Sequence, residues 1–212
     1  MMKKIALIMM VLATVSVGSA FAAKKKSNGV GMYVRGSLGY ANWTWKENGW
    51  SESINHFSIE PVFGVTNLFP VEGLGIEGFV DCNFGGKDLI WADISSKVFA
   101  PGARAMYARS IGSYMGDKGI LDQIVPYAGA GFCLPIMHWS SEQKSTVYDT
   151  NLGRSITQTV TYSDTKVYFA MDFVTGCAFT FTDEFAAHAE FGLRFGGIFN
   201  YSFRIGGAFK FK

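Results

Sequence analysis

The sequence predicts an all-β fold: a closed, antiparallel, up-and-down transmembrane β-barrel of about eight strands. Three observations predict it. The chain opens with an export signal. Its apolar residues then recur with period two rather than 3.6. One face of the alternating segments carries no ionised residue.

The export signal comes first. Lys3 and Lys4 form a basic start, and Ile5 to Val17 is an apolar run too short to span a bilayer as a helix. Ala20-Phe21-Ala22 supplies a cleavage site before Ala23. Residues 1–22 are therefore expected to be removed, leaving one domain over 23–212 that is exported through the Sec pathway. Removing Lys3 and Lys4 lowers Lys+Arg from 19 to 17, equal to the 17 Asp+Glu. A neutral chain lacks the basic surplus that phosphate backbones demand, so nucleic acid is not an expected partner. Lys24-Lys25-Lys26 reads as a solvated tail just after the cut.

Eight segments then alternate. They are Met32 to Tyr40, Phe57 to Thr66, Leu74 to Phe84, Phe99 to Tyr107, Val125 to Met137, Val167 to Phe181, Ala187 to Phe195 and Tyr201 to Phe211. Segments of about ten residues cross a bilayer when tilted, and an even number returns the chain to its starting side. Closure follows because lipid cannot satisfy an open sheet edge. Asn67 to Gly73, Ser110 to Gln123 and Thr182 to Glu184 are expected as inner turns. Asn42 to Asn55, Gly85 to Ser96, His138 to Lys166 and Gly196 to Asn200 are expected as outer loops. Trp43, Trp45, Trp50, Trp91 and Trp139 all fall at or in those outer loops, which predicts a one-sided belt at the membrane interface.

The charged face holds Arg35, Glu60, Glu77, Asp81, Arg104, Asp172, Glu190, Arg194, Arg204 and Lys210, five of each sign. A cation facing lipid at mid-bilayer costs about 2–4 kcal/mol, so this face is expected inward. An eight-stranded barrel is only wide enough for side chains to fill. A salt-bridged plug is therefore expected rather than an open pore. In a soluble sandwich or lipocalin-like barrel the same charges would face water. Cys82, Cys133 and Cys177 lie in apolar runs without His or acidic clusters, so they read as small hydrophobes, with one disulfide pair left open. No cofactor or metal is expected.

The signal peptide, the stretch Pro126-Tyr127-Ala128-Gly129-Ala130-Gly131-Phe132 and the ending Arg204-Ile205-Gly206-Gly207-Ala208-Phe209-Lys210-Phe211 resemble the small bacterial outer-membrane barrels of the OmpA-like and OmpX-like kind. The resemblance implies a place in the outer membrane, contact with its lipid, and recognition by the barrel-assembly machinery through Gly206, Phe209 and Phe211. Lys212 departs from that family's aromatic ending. The leading expectation of function is a non-enzymatic surface protein, structural or adhesive; the Ser- and Thr-rich segment 138–166 motivates it as the part that would meet a host or matrix ligand. Ser155 to Tyr162 alternates like a strand, so that segment reads either as part of a hairpin with an exposed edge or as a flexible loop. Two other functions are carried as alternatives. One is a narrow channel or carrier, because lumen-facing glycines leave room. The other is a lipid A-modifying enzyme, because His138-Trp139-Ser140 is similar to the His-x-Ser pair of outer-membrane deacylases; here Ser141 stands where that family has Asn.

Overall fold

The computed structural model describes residues 31–47, 50–68, 71–88, 92–116, 119–149 and 154–211. The expected signal segment with Ala22 and Ala23, the lysine run after it, and Trp91 lie outside them. The elements in chain order are β1 (Gly31–Glu47), β2 (Trp50–Thr66), β3 (Leu74–Asp88), β4 (Ala92–Ala108), a short helix α1 (Ile111–Met115), a 3-10 turn (Ile120–Gln123), β5 (Ile124–Cys133), β6 (Ile136–Asp149), β7 (Arg154–Val167), β8 (Ala170–Thr180), β9 (Phe185–Gly196) and β10 (Phe199–Phe211).

Eight of these strands bond into a ring. β1 pairs with β2 and β10, β2 with β3, β3 with β4, β4 with β5, β5 with β8, β8 with β9, and β9 with β10, all antiparallel. The seam between the two chain ends runs from Met32↔Phe211 to Thr44↔Phe199. Period two puts Phe57, Phe63, Ile76, Phe99, Phe132, Met171, Phe203 and Ile205 on the outer wall, where all are exposed. The alternate positions are buried and largely polar. This is the reverse of a soluble barrel and fits lipid outside.

The two runs read as single strands, 125–137 and 167–181, are each broken. Pro135 has no N–H to give the ladder, so β5 ends at Cys133 and β6 begins at Ile136. The wall stays continuous across the break. β4 bonds β5 along Gly102–Ala108 and β6 along Ala92–Phe99, and Leu134 N–H donates to the Pro101 carbonyl at 2.9 Å. Beside it, Tyr168 and Phe169 separate β7 from β8, and Tyr168 N–H donates to the Pro135 carbonyl at 2.9 Å.

Three of the expected outer loops are mostly strand. β1 and β2 run to Glu47 and from Trp50, and β3 and β4 meet across Asp88 and Ala92. Residues 138–149 and 154–166 lie in β6 and β7, an antiparallel pair in register from Ile136↔Val167 to Asp149↔Arg154. Above the lipid both faces of a ladder meet water, so the hydrophobic alternation fades while the backbone pairing persists. Polar cross-strand pairs take over there. Asn42 Nδ2 donates to Asn55 Oδ1 at 2.7 Å, and Lys87 Nζ meets Glu52 Oε1 at 2.6 Å.

The inner turns are closed by local chemistry. Asn67 (φ 56°) and Gly73 (φ 85°) take left-handed backbone, and Asn67 Oδ1 accepts the Gly73 N–H at 3.0 Å. Ser110 Oγ caps α1 by accepting the Ser113 N–H at 3.2 Å, and Gly116 ends it at φ 70°.

Candidate functional site

The inward-facing residues fill the ring in layers. Near the inner turns Met106, Ala108, Val125, Tyr127, Val174, Ala178 and Ala186 form one apolar cluster. Near the outer mouth Ala41, Trp43, Val98, Ala100, Met137 and Ile198 form another, with Trp45 and Tyr168 packed on it. Between them lies an ionic layer. It draws on β1 (Arg35), β2 (Glu60), β3 (Glu77, Asp81), β4 (Arg104), β8 (Asp172), β9 (Glu190, Arg194) and β10 (Arg204), none more than 2% exposed.

Glu60 is the hub. Its carboxylate accepts from Arg104 Nη2 at 2.7 Å, from Arg194 Nη2 at 2.8 Å, and from Arg204 Nη1. Arg104 also donates through Nε to Glu77 at 2.7 Å and through Nη1 to Asp172 at 3.1 Å. Arg194 binds Asp172 through Nε at 2.6 Å and reaches Asp81 through Nη1. Arg204 lies 2.9 Å from Glu190 and 3.3 Å from Asp81. Arg35 bonds Glu190 and, at 3.0 Å, Glu77. Guanidinium groups suit this work, because each presents a planar fork of donors and stays charged when buried.

Neutral donors complete the carboxylates. Tyr33 OH donates to Glu77 at 2.6 Å, Tyr127 OH to Glu190 at 3.1 Å, and Ser58 Oγ to Asp81 at 2.8 Å. Phe79 lies under two of the guanidiniums, 4.5 Å from Arg104 Cζ and 5.4 Å from Arg194 Cζ. None of these four residues was singled out from the sequence as part of the site. The usable signal was parity for Tyr33, Ser58 and Phe79, which share the inward face of their strands with Arg35, Glu60 and Glu77; β5 carries no charged residue to mark Tyr127.

Glycines provide the space. Gly64 stands opposite Tyr33, and a Cβ there would come within 2.1 Å of the ring. Gly131 stands opposite Arg104, where a Cβ would meet the Ala103 carbonyl at 2.0 Å and the Arg104 Cβ at 2.6 Å. The lumen glycines therefore hold the plug's large side chains rather than an open bore.

Two expectations need correction. The network holds four arginines and five carboxylates, an excess of one negative charge. The expected balance had counted Lys210, which sits half-buried near the end of β10, beside Gly31. Trp43 is not an interface residue. It is fully buried in the lumen, its ring 5.8 Å from Arg194 Cζ. Because β1 continues to Glu47, the parity that turns Arg35 inward also turns Trp43 inward. Trp45 and Trp139 are half-buried on the corresponding faces of β1 and β6.

The outward aromatics are instead Phe and Tyr, in two groups. Tyr40, Phe199 and Tyr201 lie near the outer rim, with Tyr40 and Tyr201 6.2 Å apart. Phe181, Phe185, Phe209 and Phe211 lie near the inner turns. The Phe209 ring is 5.0 Å from Phe185 and 5.4 Å from Phe211, while Gly206 faces inward under His188 and Ser37.

His138 and Ser140 have separate partners. His138 Nδ1 is 2.8 Å from Thr165 Oγ1, and Ser140 Oγ is 2.9 Å from Ser95 Oγ. Cys82, Cys133 and Cys177 are free thiols, the first two buried and the third exposed.

The β6–β7 hairpin is the second candidate site. Among the described residues β4 pairs with β6 as far as Gln143, and the last six residues of β6, Lys144–Asp149, about 20 Å of strand, pair with β7 alone. Among the described residues β7 pairs with β6 alone.

Comparison with known proteins places this architecture. No curated protein matches the sequence. Among solved structures, Neisserial surface protein A aligns at 16% identity with TM-score 0.56, covering 86% of this chain and 99% of its own. A major outer membrane protein from Thermus thermophilus aligns at 10% identity with TM-score 0.50, covering 84% and 99%. Ail of Yersinia pestis aligns at 13% identity with TM-score 0.47, covering 84% and 98%. The model of the outer membrane protein beta-barrel domain matches residues 9–210, and the chain belongs to that family of bacterial outer-membrane barrels.

Proposed function

We propose that this chain is a non-enzymatic protein of the bacterial surface, in which the barrel is an anchor and the β6–β7 hairpin is the binding element. One observation carries the reading: a paired, projecting hairpin whose outer strand leaves its edge unused among the described residues. Such an edge binds extended segments of a partner through main-chain hydrogen bonds, with alternate side chains adding selectivity. A host or matrix protein offering an extended segment is the ligand class this edge suits. In this reading β10, with Gly206, Phe209 and Phe211, is the strand that the assembly machinery recognises.

The filled interior weighs against the channel alternative. An ionic layer between two apolar clusters leaves the barrel's centre packed with side chains. The separate partners of His138 and Ser140 weigh against acyl transfer, which needs the base beside its nucleophile. Deleting Glu142 to Ser163 and measuring adhesion to host cells and matrix proteins tests the proposal. Adhesion should be lost while the barrel still shows heat-modifiable migration. Unchanged adhesion would reject it.

A further inference from the structure

The edge strand has an internal symmetry that points to its partner. Around Thr159, Thr157 mirrors Thr161, Ser155 mirrors Ser163, Gln158 mirrors Val160, and Arg154 mirrors Asp164. In an antiparallel ladder a two-fold axis relates each residue to the one opposite it. Two copies of β7 paired about Thr159 would therefore place Ser and Thr opposite Ser and Thr along one face. On the other face Arg154 would oppose Asp164, and the symmetry makes that ion pair twice. Opposite-charge and Thr–Thr pairs are among the cross-strand combinations that stabilise a sheet.

The side chains concerned are available. Arg154, Ser155, Thr157, Gln158, Thr159, Val160, Thr161, Tyr162, Ser163 and Asp164 are all exposed. Asp164 has Lys166 at 3.7 Å and remains half in solvent. The edge also lacks the usual protection against strand pairing. Between Arg154 and Asp164 there is no charge and no proline, whereas natural edges are normally blunted by one or the other.

Geometry fixes the relative orientation. The hairpin continues the barrel wall through β4, so the normal to its sheet lies in the membrane plane. The two-fold axis of antiparallel pairing runs along that normal, and rotation about it turns the second barrel upside down. Two barrels in one membrane point the same way, so their β7 edges can meet only in parallel or crossed. Parallel, in-register pairing would set Arg154 against Arg154 and Asp164 against Asp164. Like charges directly opposite are destabilising.

We propose that the partner of the β7 edge is the β7 edge of a second copy in an opposed membrane, paired antiparallel about Thr159. This makes the protein a homophilic cell-to-cell adhesin. It rests on the reading of the hairpin as the binding element, and names its ligand.

The test uses the full chain in two dye-labelled populations of phosphatidylcholine vesicles, scored by two-colour clustering. Wild-type vesicles should cluster. Vesicles bearing Arg154→Asp, or those bearing Asp164→Arg, should each lose self-clustering by tenfold or more. Mixing the two populations should restore it, because each then presents the charge the other lacks. Both variants change exposed side chains, and heat-modifiable migration verifies that each barrel is folded. Self-clustering of either variant at the wild-type level, or no clustering in the mixture, would overturn the proposal. Absence of wild-type clustering, with host or matrix adhesion still lost on deleting Glu142 to Ser163, would overturn self-pairing and leave the adhesive reading standing. Clustering that follows the charge rule, with host and matrix adhesion unaffected by that deletion, would support self-pairing and reject the host ligand.

Discussion

Replacing Arg104 by methionine probes whether the ionic layer is a dry plug. The substitution keeps an unbranched stem of similar reach and removes the guanidinium. Three carboxylates each lose a donor: Glu60 and Glu77 at 2.7 Å and Asp172 at 3.1 Å. The network passes from four arginines against five carboxylates to three against five. Breaking a buried ion pair by removing one partner costs about 3–5 kcal/mol, and this change should fall in that range. Adding Glu77→Gln returns the negative excess to one. The double variant should therefore be more stable than the two single effects predict, by about 1–3 kcal/mol in a double-mutant cycle. The surface variant Arg109→Met is the control. Its partner Glu72 is 3.3 Å away with side-chain exposure of 70%, so the loss should stay within about 1 kcal/mol. Urea unfolding in phospholipid bilayers, with the folded fraction read from heat-modifiable migration, measures the wild type and all four variants. An Arg104→Met effect no larger than that of Arg109→Met, or strict additivity in the cycle, would mean the charges are separately hydrated. The dry-plug argument would then fail.

Three further outcomes are expected. Planar-bilayer recordings of the wild-type barrel should show no unitary conductance, and regular open steps would contradict the packed interior. Gly64→Ala drives a methyl group into the Tyr33 ring and should cost about 1–3 kcal/mol in the same unfolding assay; an unchanged midpoint would show that Tyr33 has room to move. In the folded barrel a membrane-soluble maleimide should label the exposed Cys177 and spare the buried Cys133, which should react only after unfolding; equal labelling would contradict the assigned faces.

The orientation of the plug is legible from the sequence, but its wiring is not. Glu77 and Asp81, or Glu190 and Arg194, share parity on one strand, so their common face follows from period two. That Arg104 meets Asp172 depends on the stagger between β4, β5 and β8, and no local pattern encodes stagger. The outer ends of β1 to β4 are hidden for another reason. Alternation records a difference between two environments, and above the lipid both sides of the ladder are water. Trp43 shows the cost of reading residue type ahead of parity, since tryptophan favours interfaces while its odd position beside Arg35 sets it inside. The break at Pro135 is written in the chain as a residue with no N–H, in the middle of an otherwise regular run.

The seam between β1 and β10 bears on how the protein is made. Arg204, on the last strand, supplies contacts to Glu60, Asp81 and Glu190, which belong to three other strands. A nascent or truncated chain that has not yet added β10 holds three arginines against five carboxylates. It also leaves the β1 and β9 edges open in a medium that offers them no hydrogen bonds. Insertion of the final strand closes both edges and cuts the carboxylate excess from two to one. The ionic layer thus ties the packing of the interior to the arrival of the last strand. Only a chain that carries β10 in register brings the fourth arginine to the five buried carboxylates.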